Sequence, residues 1–121
     1  MPVILIADDE SVNNVYLKFI LRDSAAEIYF AVKGKDAIDL CLEHPEISIV
    51  LMYLKMPVMD GLTAARLIRE LRHEVPIIAF TAYAMSGDEH RAMEAGCNDY
   101  LAKPVLKEEL MRIIKKQLSK K

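Results

Sequence analysis

An apolar run near the middle of the chain reads Ile47-Ser48-Ile49-Val50-Leu51-Met52-Tyr53. It is rich in β-branched residues and almost unbroken, which is typical of a strand buried on both faces of a parallel sheet. The segment Met56-Pro57-Val58-Met59-Asp60-Gly61 has the composition of a loop. A predicted helix follows, with its apolar face marked by Leu62, Ala65, Ile68 and Leu71.

Similar units lie on both sides of this one. Short apolar runs predict strands over residues 3–7, 27–32, 76–80 and 99–102. Four more helices are predicted. The first has an apolar stripe made of Val12, Val15, Tyr16, Phe19 and Ile20, and the second covers residues 36–44 and is ended by Pro45. A later helix is opened by the capping box Ser86-Gly87-Asp88-Glu89 and ends near Gly96, and the last begins at Leu106. This alternation predicts an α/β fold with a parallel sheet covered by helices on both faces.

Composition limits the class of protein. The 121 residues, with a mass of 13.7 kDa, predict one domain over 1–121, and 53% hydrophobic residues exclude an intrinsically disordered chain. No apolar run approaches the length of a membrane span, and the N-terminus lacks the features of a signal peptide. A net charge of −2 argues against direct nucleic-acid binding. Cys41 and Cys97 are expected to be reduced thiols in a cytoplasmic protein.

Chemically distinctive residues follow the predicted strands. Asp8 and Asp9 come after the first strand, Tyr53 ends the third, Thr81 follows the fourth and Lys103 follows the fifth. In open parallel sheets the ligand site lies beyond the carboxyl ends of the strands. Paired carboxylates suit a hard cation such as Mg²⁺, whereas an ammonium and a hydroxyl suit the oxygens of a phosphoryl group.

These residues belong to motifs that occur together in one family. The motifs are Asp8-Asp9, Met56-Pro57-x-Met59-Asp60-Gly61, Thr81-Ala82, and Lys103-Pro104 preceded by Ala95-Gly96-Cys97-Asn98-Asp99-Tyr100. Each motif alone is weak, but all of them occur in order at the expected strand ends. The sequence resembles the receiver domain of two-component response regulators over essentially its whole length. The resemblance implies a flavodoxin-like, doubly wound sheet of five parallel strands in the order 2-1-3-4-5, with five helices.

The resemblance also implies roles for single residues in a metal site. Asp9 would ligate Mg²⁺ directly and Asp8 through water, and the backbone carbonyl of Lys55 would complete the protein's share of the ligands. Thr81 would hydrogen-bond the phosphoryl group and Lys103 would pair with its charge.

Further roles implied by the resemblance concern the switch. Thr81 would couple the phosphoryl group to Tyr100, an aromatic side chain whose rotamer reports the state of the domain. The Lys103–Pro104 peptide bond would be cis.

One position departs from the family pattern. Three residues before Met56-Pro57 the family has the aspartate that accepts phosphate from a partner kinase, and here that residue is Tyr53. A phenol cannot form an acyl phosphate and is a poor nucleophile without a base. Mg²⁺ binding should be weak or absent, because the site loses a carboxylate. The sequence is compatible with a naturally degenerate receiver and with a replaced aspartate.

We therefore expect a non-enzymatic receiver that acts as a protein-interaction module without phosphorylation at Tyr53. The resemblance implies docking to a histidine kinase, a phosphotransfer protein or an effector domain through the fourth helix, fifth strand and fifth helix, a face that could also support a homodimer. No membrane partner is expected. The alternatives are a small metal-dependent phosphohydrolase and a flavin-binding module on the same fold. Asp8-Asp9-Glu10 argues against the second because it would repel a phosphate.

Overall fold

A computed structural model describes residues 1–55, 59–81 and 88–119. Five strands alternate with five helices along the chain. The strands are β1 (Val3–Ala7), β2 (Glu27–Ala31), β3 (Ile49–Tyr53), β4 (Ile77–Thr81) and β5 (Asp99–Ala102). The helices are α1 (Ser11–Leu21), α2 (Gly34–Glu43), α3 (Gly61–Leu71), α4 (Asp88–Glu94) and α5 (Lys107–Leu118).

The sheet is parallel throughout, with the strand order β2-β1-β3-β4-β5. This confirms the flavodoxin-like, doubly wound fold class. The chain reverses its direction of travel across the sheet after β2, so the switch in strand order falls between β1 and β3. In folds of this kind the functional site lies outside the carboxyl ends of the strands at that point.

The core is densest along β3 and β4. Every residue of β3 and β4 is buried, as their β-branched composition predicts. The observed β1 and β5 have the predicted bounds, whereas β2, β3 and β4 differ from the predicted strands by one or two residues at their ends. Helix α2 begins two residues earlier than predicted, at Gly34. The motif residues Met56, Pro57 and Ala82 lie outside the described residues. The predicted capping box at residues 86–89 lies partly outside them.

Helix α1 is present where predicted, but its apolar stripe points outward. Val12, Val15 and Phe19 are 78%, 68% and 60% exposed, whereas the buried residues of this helix are Asn14, Leu17, Ile20 and Leu21. Of the predicted stripe, only Ile20 lies in the core. The outward face is therefore a contiguous apolar surface, which we call the α1 face (Val12, Val15, Tyr16 and Phe19). A surface of this kind is typical of a contact site for another protein.

The Asp99 side chain links β5 to α5 through hydrogen bonds. Its carboxylate accepts hydrogen bonds from the backbone N–H of Tyr100 (3.0 Å), from Gln117 Nε2 (3.2 Å) and from Lys116 Nζ (3.4 Å). Burial raises the pKa of Asp99, but these bonds and the charge of Lys116 outweigh it and hold the pKa below its usual value. The ionised carboxylate therefore stabilises the folded state.

Replacing this carboxylate should give a pH-dependent loss of stability. Asp99→Asn is expected to lower the free energy of unfolding by about 1 kcal/mol at pH 7, because a charged acceptor is lost. A lowered folded-state pKa supplies stability that is present above the unfolded value and lost as the pH falls through the folded one. Urea unfolding should therefore show the two proteins converging below about pH 4.

The matched control for this measurement is Asp23→Asn. The side chain of Asp23 is 82% exposed and lies 3.8 Å from Arg22, so its replacement should change stability little at any pH. A difference between wild type and Asp99→Asn that grows with acidification would contradict the assignment.

No helix in the described part of the chain is long and apolar enough to cross a membrane.

The two cysteine thiols, Cys41 and Cys97, are free and buried. Burial raises the pKa of Cys41 to about 11 and that of Cys97 to about 12. Both thiols are consequently protonated near neutral pH and act as small apolar side chains of the core.

Candidate functional site

The site begins at the end of β1. The Asp8 side chain is completely buried there. Its Oδ1 accepts a hydrogen bond from the backbone N–H of Glu10 (2.9 Å), and its Oδ2 accepts one from Lys103 Nζ (3.2 Å). Asn14, on the inner side of α1, donates from Nδ2 to the backbone carbonyl of Asp8 (3.1 Å). Each carboxylate oxygen of Asp8 is therefore engaged by a donor of the protein itself.

The electrostatics of Asp8 are dominated by its burial. Burial raises the pKa of this carboxyl above its ordinary value, and the hydrogen bond from Glu10 and the charge of Lys103 offset the rise only in part. Desolvation disfavours the charged form of an acid, whereas a neighbouring ammonium favours it. The ammonium of Lys103 thus stabilises the ionised form of Asp8, which burial disfavours.

The ring of Tyr53 occupies the end of β3. Tyr53 is only 7% exposed, and its ring packs against Phe80 and Lys103. Tyr53 lies beside Phe80 in the sheet register, and the two ring centroids are 5.5 Å apart with planes tilted by 33°. This is within the range of favourable aromatic pairs.

Lys103 extends from the end of β5 across these rings. Its Nζ lies 3.8 Å from the centroid of Tyr53 and 5.4 Å from that of Phe80, both within the distance at which an ammonium is attracted to a ring face. The same Nζ lies 3.6 Å from Glu10 Oε1. The Lys103–Pro104 peptide bond is cis, as the family resemblance implies.

Two further predicted site residues lie on β4 and β5. Thr81 is completely buried at the end of β4, and its carbonyl accepts a hydrogen bond from the backbone N–H of Lys103 (2.7 Å). Tyr100 is half-buried in the middle of β5, where it pairs with Ala79 of β4. The structure therefore brings Lys103 into contact with both Asp8 and Tyr53, and the backbone of Lys103 bonds to Thr81.

Of the remaining predicted metal ligands, Asp9 has an exposed side chain after β1, and Lys55, whose backbone carbonyl is the predicted ligand, follows β3. Asp8 already engages both oxygens with Glu10 and Lys103. Within residues 1–55, 59–81 and 88–119, no group of three or more His, Cys, Asp or Glu side chains is placed to hold a metal ion. Mg²⁺ prefers several oxygen ligands in near-octahedral geometry. The predicted set, two carboxylates and one backbone carbonyl, supplies fewer protein oxygens than this geometry requires, and weak Mg²⁺ binding stays a prediction.

The start of α3 is fixed tightly against the end of β3. Asp60 caps the helix, since its Oδ1 accepts a hydrogen bond from the backbone N–H of Thr63 (2.9 Å). The backbone N–H of Gly61 donates to the carbonyl of Leu54 (2.9 Å). A Cβ atom at Gly61 would collide with the backbone of Tyr53 and lie 2.8 Å from the Cα of Leu54. Only glycine permits this approach, which sets the position of the Tyr53 backbone.

A crevice of about 310 Å³ lies beside Lys103, between α1 and the segment that leads into α5. Tyr16 borders it and donates a hydrogen bond to the carbonyl of Val105 (2.6 Å). Other lining residues are Asn13, Leu17, Phe80 and Pro104. Through Tyr16 the crevice is continuous with the α1 face, so the site opens beside an exposed apolar surface.

Two residues of this arrangement escape prediction from the sequence. Phe80 looks like any apolar residue of a buried strand, although its place directly before Thr81 puts it next to Tyr53 in a parallel register. Asn14 falls outside the apolar stripe of α1 and therefore resembles a solvent-exposed residue. A polar residue on the helix that follows Asp8, one that can satisfy a buried carbonyl, is the signal that could have found it.

Comparison with known proteins now adds to this geometry. Residues 4–115 match the family model described as the response regulator receiver domain. The chain is 36% identical to hybrid signal transduction histidine kinase I of Dictyostelium discoideum over 97% of its own length, but it spans only 7% of that kinase. It is 33% identical to the polar-differentiation response regulator DivK of Brucella ovis, covering 95% of this chain and 94% of DivK.

Among solved structures, the chain is similar to one from Saccharomyces cerevisiae. That co-crystal structure contains the histidine phosphotransfer signaling protein Ypd1 and the receiver domain of its downstream response regulator Ssk1. The TM-score is 0.87 at 30% sequence identity, covering 96% of this chain and 88% of the other. The fold and the family match agree, and the chain belongs to the response regulator receiver domain family of two-component signal transduction.

Proposed function

We propose that this receiver domain cannot form an aspartyl phosphate at position 53 and works as a protein-interaction and switch module. The observation that carries the proposal is the buried ring of Tyr53 at the end of β3, in contact with Lys103. If Tyr53 stands at the phosphoacceptor position, as the family motif places it, the carboxylate that would attack a phosphoryl donor is missing.

The charged neighbours described around Tyr53 offer no replacement chemistry. A phenol has an ordinary pKa near 10 and needs a base to become a nucleophile. Lys103, which contacts the ring, is a cation, and Asp8 has its oxygens held by Glu10 and Lys103. Transfer of a phosphoryl group to the Tyr53 hydroxyl therefore has no support from these groups.

The contacts of Asp8 and Tyr53 also bear on how strongly this site would bind Mg²⁺. Receiver domains generally bind Mg²⁺ at the phosphorylation site, and here Asp9, Asp8 and the Lys55 carbonyl would supply the ligands. We expect weak binding at most, because Asp8 is committed to Lys103 and the third carboxylate is replaced by a ring. The proposed state of the domain is thus independent of both Mg²⁺ and phosphate.

The proposed partner is a histidine kinase, a phosphotransfer protein or an effector domain. The similar yeast structure pairs a receiver domain with a histidine phosphotransfer protein, which supports this class of partner. The fourth helix, fifth strand and fifth helix remain the expected docking face. The exposed α1 face supports a second contact surface, since it leaves four large apolar side chains in solvent next to the site. A phosphohydrolase or a flavin-binding module is not favoured by the family match.

The proposal is tested by exposing the full chain to acetyl phosphate and Mg²⁺ and recording its intact mass. We expect no added phosphoryl group, whereas Tyr53→Asp, treated in parallel, should gain one. Stable labelling of the wild-type chain would refute the proposal. Mapping any label by fragmentation distinguishes Tyr53 from the carboxylates of the same edge.

A further inference from the structure

The ammonium of Lys103 is enclosed by groups from three other strands. It lies 3.2 Å from Asp8 Oδ2 after β1, 3.8 Å from the Tyr53 ring on β3 and 5.4 Å from the Phe80 ring on β4. Its side chain is only 14% exposed. A partly desolvated ammonium gains more from a ring face than an exposed one does. The contact with Tyr53 is therefore of the kind that contributes measurably to stability.

This contact is more than a steric block. A branched aliphatic side chain at position 53 would also lack the carboxylate that the family has there, but it has no ring whose electron-rich face could attract the ammonium. The ring instead attracts Lys103 and packs on Phe80, so that one cation joins the ends of β1, β3 and β4 to β5.

The backbone of Lys103 carries this restraint to β4. Its N–H donates to the carbonyl of Thr81 at 2.7 Å, so the residue that carries the ammonium is itself bonded to the end of β4. Movement of Lys103 away from Tyr53 would require the pair of charges with Asp8 to be rebuilt as well.

We propose that Tyr53, Phe80, Asp8 and Lys103 form a latch that holds the carboxyl edge of the sheet in one arrangement without any bound phosphoryl group or cation. The inference rests on the proposed function in taking Tyr53 to stand where a phosphoacceptor would. The ring of Tyr53 then holds the Lys103 ammonium in place of a phosphoryl group, and the end of β4 is kept in a single state.

A double-mutant cycle on the full chain tests the latch. Tyr53→Leu removes the ring and Lys103→Met removes the charge while keeping the length of the side chain. We expect the two effects on the unfolding equilibrium constant to be coupled by a factor of about 3 to 30, which corresponds to a cation–π contact. Tyr53→Phe keeps the ring face and should keep the coupling. The control cycle of Tyr53→Leu with Lys116→Met should be additive, because Lys116 pairs with Asp99.

A spectroscopic measurement makes the test independent of stability. In wild type and in Tyr53→Phe, the ε-methylene proton signals of Lys103 should be displaced upfield by the ring current, and in Tyr53→Leu most of that displacement should disappear. Amide hydrogen exchange at Lys103, whose N–H bonds Thr81, should become faster in Tyr53→Leu. An additive cycle, or Lys103 signals at the same position in wild type and Tyr53→Leu, would overturn the latch.

These outcomes are separable from a failure of the proposed function. None of the variants has a carboxylate at position 53, so the coupling and the ring-current shift do not depend on phosphorylation. Labelling of wild type by acetyl phosphate would refute the silent acceptor while leaving the measured coupling intact. An additive cycle with an unlabelled wild type would refute only the latch.

Discussion

Tyr53→Asp is expected to become phosphorylated by acetyl phosphate in the presence of Mg²⁺, and the intact mass of the protein should rise by one phosphoryl group. The substitution restores the carboxylate that the family motif places at the end of β3. It also releases Lys103 from the ring, so the ammonium can pair with an incoming phosphoryl oxygen. The label should be lost on treatment with hydroxylamine, which cleaves acyl phosphates.

The same variant should be less stable than the wild type without metal. It loses the burial of a ring that is 7% exposed and places a carboxylate beside the buried Asp8. Loss of a buried aromatic and an added like charge together are expected to cost about 2–4 kcal/mol. Added Mg²⁺ should return part of this stability to the variant, because a ligand that binds only the folded state stabilises it.

Tyr53→Asn is the matched control, since asparagine has the size of aspartate without its charge. It should lose the ring packing to a similar extent, remain unlabelled and show little stabilisation by Mg²⁺. Thermal unfolding with and without Mg²⁺, followed by circular dichroism, compares the three proteins. Equal stabilisation of wild type and Tyr53→Asp by Mg²⁺ would contradict the expectation that the wild-type site binds the metal weakly.

The sheet can be predicted from sequence because two of its inner strands, β3 and β4, are apolar on both faces. The runs that become β3 and β4 leave no residue exposed, and a two-sided parallel sheet is the arrangement that buries them. The strand boundaries are harder to predict, since Ile47 is buried but lies before the first ladder pair of β3. Burial marks the neighbourhood of a strand, whereas hydrogen bonding fixes its ends.

The orientation of α1 cannot be derived from periodicity. Its inner face includes Asn14, which bonds the backbone of Asp8, and its outer face carries Val12, Val15 and Phe19. A pattern that assigns every apolar residue to the core fails on a helix with apolar residues on both faces. Local sequence rules are expected to fail most often at functional sites, which agrees with the proposal of a contact surface on α1.

The candidate site can be predicted as a set of strand ends but not as a set of contacts. Topology alone brings Asp8, Tyr53 and Lys103 to one edge. That the Tyr53 ring turns inward and lies under the ammonium depends on the space beside Phe80, which a sequence does not specify. The roles assigned to Thr81 and Tyr100 come from the family resemblance and stay predictions.

Gly61→Ala should produce the largest loss of stability of any single methyl addition near the site. The added Cβ would collide with the carbonyl of Tyr53 and lie 2.8 Å from the Cα of Leu54. Both are backbone atoms, so no side-chain rotation relieves the contact. Alanine favours a helix over glycine by about 1 kcal/mol, but overpacking against backbone costs about 3 kcal/mol or more, and the collision decides the sign.

The expected net loss of at least about 2 kcal/mol would lower the melting temperature by roughly 6–12 °C for a domain of this size. Gly34→Ala is the graded control, because its added Cβ meets the Met59 carbonyl at 2.9 Å and the movable Met59 side chain at 3.0 Å. Arg66→Ala, exposed on the same helix, should be nearly neutral. An unchanged melting temperature for Gly61→Ala would contradict the close approach of α3 to β3. Because the collision is with the backbone of Tyr53, the variant should also shift the Lys103 ε-methylene signals, whereas Arg66→Ala should leave them in place.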